Sequence, residues 1–201
     1  GSDQAIALEK SYAAPNYAPI PVVLERGEES WLWDADGKRY LDFMSAYSAV
    51  SHGHAHPRLV RALIEQAQRV AVTSRAYHSS VLGPFVAKLV ELADLRSPAR
   101  VLPASGGCES VETAIKAARR WGYRVKGIAA EHAEIVVARG NFHGRSTSVV
   151  GFSTEASYRA DFGPFAPGFR HFDFGDINSL DAAINDRTCA VLIEPIQGEA
   201  G

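Results

Sequence analysis

The sequence predicts an α/β protein with a mainly parallel sheet, and three observations carry the prediction. Ile135-Val136-Val137-Ala138 and Ala190-Val191-Leu192-Ile193 are short apolar runs rich in β-branched residues, the pattern of strands buried on both faces. Residues 100–121 read as a strand, a glycine loop and a helix in succession. Further helical stretches lie between the apolar runs, so strand and helix alternate.

Gly1-Ser2 has the look of a tag-cleavage scar and is set apart from the fold. Residues 3–50 form an N-terminal arm and hairpin segment. The arm is expected to be extended, with a short apolar strand at 22–24. Trp31-Leu32-Trp33 and Tyr40-Leu41-Asp42-Phe43 flank Asp34-Ala35-Asp36-Gly37. An Asp-Gly between two aromatic-rich runs specifies a hairpin, because glycine accepts positive φ. Residues 51–201 are expected to be the first part of a larger domain. From Pro57 onward, Leu59, Leu63, Ala67 and Val70 make an apolar helical stripe, with Arg58, Arg61, Glu65 and Arg69 off it. A second helix covers 80–92, with Phe85, Leu89 and Leu92 on one face. Arg100-Val101-Leu102-Pro103 reads as a strand leading through Ala104-Ser105-Gly106-Gly107 into a helix over 109–121. Asp176 is placed to cap a helix running through Leu180 to Ile184.

Composition narrows the function. The 201 residues carry a formal charge of -2, which gives no reason to expect nucleic acid or a membrane surface as partner. No apolar run approaches the roughly 20 residues that span a bilayer. The N-terminus lacks the charged head and apolar core of a signal peptide. Cys108 and Cys189 stand far apart in unrelated contexts, so a disulfide framework is not expected and a reducing cytoplasm fits. There are no internal repeats.

Four stretches could carry chemistry. Ser105-Gly106-Gly107-Cys108-Glu109 sits between a strand and a helix. Two glycines there let a ligand approach the backbone, and the helix start offers unpaired N–H groups to a phosphate. A plain strand–helix connection reads the same way, and no Gly-Lys-Ser/Thr follows to make it a Walker loop. Gly140-Asn141-Phe142-His143-Gly144-Arg145 follows a strand, where α/β folds bind ligands. Phe142 could stack on a flat ring and Arg145 could clamp a carboxylate, or they could be a core aromatic and a surface cation. Glu194 and Glu199 lie in the loop after the last strand, where a carboxylate could orient a cofactor or pair with an arginine, or be solvated. His52-Gly53-His54-Ala55-His56-Pro57 looks metal-like, but Gly and Pro break the strand that would align the histidines, so no metal is expected. Cys108 has no evident base to make it a nucleophile.

Together these pieces resemble the class III (subgroup II) pyridoxal-phosphate aminotransferases of fold type I, over nearly all of 12–201, and within them the ornithine aminotransferases. The narrower likeness rests on Asn16-Tyr17-Ala18-Pro19-Ile20-Pro21, Tyr47-Ser48-Ala49-Val50, the stretch from Arg119 to Gly127, Phe162-Gly163-Pro164-Phe165-Ala166-Pro167-Gly168-Phe169 and the terminal loop. The resemblance implies that Gly106, Gly107 and Cys108 line the phosphate site of pyridoxal 5'-phosphate, Gly107 and Cys108 through backbone N–H groups. It implies that Phe142 stacks on the pyridine ring and that Glu194 supports hydrogen bonds on the cofactor side. Arg145 would hold the α-carboxylate of glutamate or 2-oxoglutarate. Tyr17 and Tyr47 would contact substrate. Glu199 would mask a second arginine, so that ornithine reacts through its distal amine. The δ-amino group of ornithine would pass to 2-oxoglutarate, giving glutamate semialdehyde and glutamate, in a homodimer with its active site at the interface.

Two departures from the family pattern bear on this. Gly106 stands where the family usually has a hydroxyl side chain, which predicts weaker phosphate binding. None of Lys10, Lys38, Lys88, Lys116 and Lys126 sits in the context of the family's catalytic lysine, so no catalytic residue is assigned. The aspartate that pairs with the pyridine nitrogen is likewise expected beyond Gly201. The chain therefore reads as an N-terminal portion. One reading is an aminotransferase completed by a separate C-terminal half. Another is a non-catalytic, dimerising remnant. A third keeps the enzyme with acetylornithine or another ω-amino acid as substrate.

Overall fold

The computed structural model describes residues 1–94 and 98–201, which fold as two compact units, Gly1–Phe85 and Val86–Gly201. The first unit opens with a helix, α1 (Ser2–Tyr12), where the sequence suggested an extended arm. Local composition explains the difference. Ala5, Ala7, Leu8, Glu9 and Lys10 are strong helix formers, and Asp3 in the first turn and Lys10 in the last suit the helix dipole. None of its residues is buried, so no apolar stripe announces it.

Strand β1 (Leu24–Glu28) begins at the end of the apolar run at 22–24 instead of covering it. Its ladder partners set its position: it pairs antiparallel with β2 (Trp31–Asp34), which pairs with β3 (Arg39–Leu41). The β2–β3 hairpin is the expected one. Asp34 builds its turn, accepting the backbone N–H groups of Asp36 and Lys38 on Oδ1 and the Tyr40 hydroxyl on Oδ2, while Gly37 supplies φ +83°. Arg26 covers the Trp33 ring at 3.5 Å and Arg39 the Trp31 ring at 4.1 Å.

After β3, Asp42 accepts the backbone N–H groups of Met44 and Ser45 on Oδ1 and His54 Nε2 on Oδ2, the last at 2.7 Å. Ser45, Ala46, Tyr47 and Ser48 then make a left-handed turn, with φ of 46°, 47°, 56° and 69°. Helix α2 (Pro57–Ala67) starts on a proline, whose missing N–H costs nothing in a first turn. Helix α3 (Leu82–Ala93) follows.

In the second unit, α4 (Gly107–Trp121) continues into a π-helical turn (Gly122–Lys126) that ends at Gly127 in the left-handed region. Cys108, Val111, Ile115 and Ala118 recur at helical spacing and join the sheet core. The strand expected at 100–103 is irregular chain. No strand among the described residues offers it a ladder, and an apolar run alone does not satisfy backbone groups.

The sheet consists of β4 (Glu134–Ala138), β5 (Phe169–Phe172) and β6 (Thr188–Leu192), in the order β5-β4-β6 with both pairings parallel. Two one-turn helices, α5 (Thr147–Gly151) and α6 (Ala156–Arg159), lie between β4 and β5, and α7 (Ile177–Ala183) precedes β6. Residues 135–138 of β4 are at most 1% exposed, as the sequence implied for a strand covered on both faces. Ile135 and Val137 pack with Ile115, Val149, Phe152 and Cys189, while Val136 and Ala138 pack with Phe172 and Ala183. Asp176 caps α7 as expected, accepting from the N–H groups of Asn178 and Ser179. No helix among the described residues is long and apolar enough to cross a membrane.

Candidate active site

Parallel strands point their carboxyl ends one way, and the loops that leave β4 and β6 carry Phe142, Arg145, Glu194 and Glu199. The start of α4 is the first component. Gly106, its N-cap, is extended and offers no side chain to the first-turn N–H groups. The shorter helices α5, α6 and α7 are capped by Ser146, Glu155 and Asp176. Space in front of the α4 terminus is open: a Cβ built on Gly106 or Gly107 would meet nothing within 4 Å. A small anion can therefore reach the backbone N–H groups of Gly107 and Cys108 at the positive end of a 15-residue helix. Glu109 reaches back over the first turn to accept the Ser105 N–H at 2.6 Å, and Ser110 donates its hydroxyl to the Gly106 carbonyl.

The loop after β4 lies directly against this helix start. Gly144 has φ +117°, and a Cβ there would sit 2.7 Å from both Cβ and Sγ of Cys108. Only glycine permits that approach. Ser146 hydrogen-bonds Glu112 of α4, adding a second tie between loop and helix. Hydrogen bonds from Ser146, through its hydroxyl and its backbone N–H, hold the Cys108 thiol below the usual cysteine range. Burial pushes Cys189 the other way. At the base of the loop, buried Asn141 donates to the carbonyls of Ala138 and Phe152. Phe142 donates its N–H to Glu194 Oε2 at 3.1 Å, so the carboxylate following β6 fixes the backbone that carries the ring. Arg145 lies beyond, its guanidinium carbon 6.0 Å from the Phe142 ring centre. His143 packs beside Phe152, and burial lowers its pKa, which keeps the imidazole neutral at pH 7.

The loop after β6 completes the cluster. Gln197 donates to the Arg139 carbonyl at 2.7 Å and packs over Gly140. Glu199 accepts the Tyr158 hydroxyl at 3.0 Å, and the Tyr158 ring meets the Phe142 ring edge-on at 5.9 Å. Tyr158 is the member of this site that sequence reading missed. It lies on a one-turn helix without periodicity, and its partner is 41 residues away. The bond to Glu199 raises the phenol pKa, so Tyr158 remains a neutral donor.

Gly106, Gly107, Cys108, Phe142, Arg145, Glu194 and Glu199 thus lie in one unit, the helix start joined to the Phe142 loop through Gly144 and Ser146, and Glu199 joined to Phe142 through Tyr158. Tyr17 and Tyr47 belong to the first unit. Tyr17 borders a hollow between α1 and residues 13–24, and Tyr47 stands exposed on the left-handed turn. Of the three neighbouring histidines, His54 bonds Asp42 and bridges the Glu29 backbone, and the rings of His52 and His56 meet edge-on. Among the described residues no group of three side chains could hold a metal ion.

An open helix N-terminus, an aromatic face fixed through its own backbone and a guanidinium beside it suit a flat, phosphorylated ring carrying a carboxylate-bearing partner. The family model for aminotransferase class-III matches residues 12–201. Among curated proteins, the ornithine aminotransferase of Macrococcus caseolyticus strain JCSC5402 is 51% identical over 200 residues, 100% of this chain and 50% of that protein. The ornithine aminotransferase of Toxoplasma gondii, solved with partial occupancy of PLP at its active site, superposes with a TM-score of 0.95 at 38% identity, over 100% of this chain and 47% of that one. The acetylornithine aminotransferase of Elizabethkingia anophelis gives 0.83 at 48% identity, over 100% and 48%. The chain spans about half the length of the curated relatives it matches.

Proposed function

This chain belongs to the class III aminotransferases, and on that premise we propose that it forms the phosphate- and ring-binding half of an ornithine aminotransferase. The observation that carries the reading is the junction of the open α4 terminus with the Phe142 loop through Gly144 and Cys108. That junction sets two glycine-flanked backbone donors and an aromatic face in one rigid frame. The glycines leave the room a phosphate needs, so the residues present fit pyridoxal 5'-phosphate.

In this reading, Gly107 and Cys108 hold the phosphate through their N–H groups, with Gly106 giving clearance and no hydroxyl. Phe142 covers the ring, and Glu194 fixes Phe142 by accepting its N–H. Once bound, pyridoxal phosphate supplies the electron sink that lets an amino group be exchanged for an oxo group. Arg145 clamps the carboxylate of glutamate or 2-oxoglutarate in a two-pronged geometry. Tyr17 and Tyr47 contact the substrate, and Glu199 pairs with a guanidinium so that ornithine presents its distal amine. The products are glutamate semialdehyde and glutamate, and the working form is a homodimer. Acetylornithine is the second reading, supported by the likeness to the Elizabethkingia enzyme.

The catalytic lysine is proposed to come from sequence outside these 201 residues. Lys116 lies nine positions beyond Gly107, roughly 13 Å along the helix at 1.5 Å per residue. Lys126 is committed to the Thr188 carbonyl and Lys88 to Glu91. Borohydride reduction of the chain with pyridoxal phosphate, followed by intact mass and peptide mapping, tests this. No specific adduct is expected. A single stoichiometric adduct on one of the five lysines would overturn it. For the intact protein, amino transfer from ornithine to 2-oxoglutarate is expected to exceed that from acetylornithine.

A further inference from the structure

Three loops meet around a small hollow of about 200 Å³ bordered by Gly140, Thr154, Glu155, Tyr158, Glu199 and Ala200. Two carboxylates on its rim suit it to a cationic group. Glu155 is already committed, because it caps α6 by accepting the N–H and hydroxyl of Ser157. Glu199, in the bond described above, accepts from a neutral donor, the Tyr158 hydroxyl.

We infer that Tyr158 is a positioning residue: by bonding Glu199 while packing its edge on Phe142, it fixes the carboxylate relative to the ring-binding face and so tunes selection of the diamine over the dicarboxylate substrate. The inference rests on the reading of Glu199 as the partner of a guanidinium.

The geometry supports it at each joint. Thr154 accepts the Gly140 N–H at 2.8 Å, tethering the segment before α6 to the loop after β4. The Glu155 cap holds α6 in its single turn and sets where Tyr158 leaves the backbone. On the other side, the bond from Gln197 to the Arg139 carbonyl holds the stem of the Glu199 loop. Both ends of the tyrosine–glutamate bond are therefore placed by backbone anchored to the end of β4. A carboxylate has about four acceptor sites. One bond from Tyr158 orients the group and leaves the rest for a cation. Because the donor is neutral, it adds no charge to compete with that cation.

The test uses the intact protein with tyrosines carbon-13 labelled at Cζ. The resonance lost in Tyr158→Phe identifies Tyr158. It should titrate above the ordinary tyrosine range in the parent protein and move back toward it in Glu199→Gln. Steady-state kinetics of Tyr158→Phe should show kcat/KM for ornithine falling roughly five-fold, the scale of one lost hydrogen bond, while that for glutamate changes less than two-fold. Equal losses on both substrates, or none, would overturn the role, as would a Tyr158 titration indifferent to Glu199→Gln. The ring titration separates this inference from the reading beneath it. A protein inactive on ornithine whose Tyr158 still responds to Glu199 sinks the substrate reading and keeps the contact. An active protein with Tyr158 uncoupled does the reverse.

Discussion

Gly144 concentrates the demands of the site in one residue. Its φ of +117° and the 2.7 Å approach to Cys108 leave no room for a methyl group. Gly144→Ala is expected to lower stability by roughly 1–3 kcal/mol in urea unfolding, since strain and collision act together. The two cysteines provide a second test. Cys108, partly exposed with a lowered thiol pKa, should react with iodoacetamide at pH 7 well before buried Cys189. Inorganic phosphate should slow the Cys108 reaction, because an anion at the α4 terminus shields the thiol and opposes its ionisation. Equal rates with and without phosphate would argue against the cradle.

At the scale of elements, the parts legible in the sequence are those specified by local signals. The Asp34–Gly37 hairpin, the Asp176 cap and the apolar run of β4 each need only a few neighbouring residues. Asp176→Ala should cost about 0.5–2 kcal/mol through loss of the cap. Ile135→Ala should cost about 2–5 kcal/mol through loss of a fully buried side chain in the central strand. Elements defined by distant partners were not legible. β5 mixes Arg170 and His171 between two phenylalanines, and only its parallel ladder to β4 makes it a strand. Residues 100–103 carry the right composition for a strand without a partner. α1 carries its apolar residues Ala5, Ile6, Ala7 and Leu8 in one consecutive run and buries none of them, so propensity formed a helix that periodicity could not reveal. The site follows the same rule: Gly106, Gly107, Phe142, Arg145 and Glu194 stood in readable motifs, whereas Tyr158 acquires its place only when loops after two different strands converge.

For the whole molecule, acid and concentration are the informative variables. In the first unit, hydrogen bonds from His54 and from the backbone N–H groups of Ser45 and Met44 hold the Asp42 carboxyl below the usual aspartate range. A carboxyl lowered in the folded state contributes stability above its unfolded pKa of about 3.9, and that contribution is lost as pH falls through the folded value. Unfolding monitored by tryptophan fluorescence should thus show an acid-sensitive step below about pH 4 that Asp42→Asn flattens. The chain also exposes Phe43, Leu63, Val72 and Ile196, each more than 70% accessible, and β6 lies at the edge of its sheet. The 201-residue chain is expected to self-associate with rising concentration. A monodisperse monomer by light scattering at all concentrations would contradict that.

The left-handed turn at residues 45–48 reverses the usual direction of protein engineering. L-residues disfavour this conformation by roughly 1–2 kcal/mol each, and glycine does not. Ala46, exposed beside Tyr47, is therefore a position where replacement by the most flexible amino acid should raise the melting temperature. Selection for heat resistance would enrich Ala46→Gly, while selection for turnover would retain alanine if the orientation of Tyr47 depends on a backbone that has no alternative.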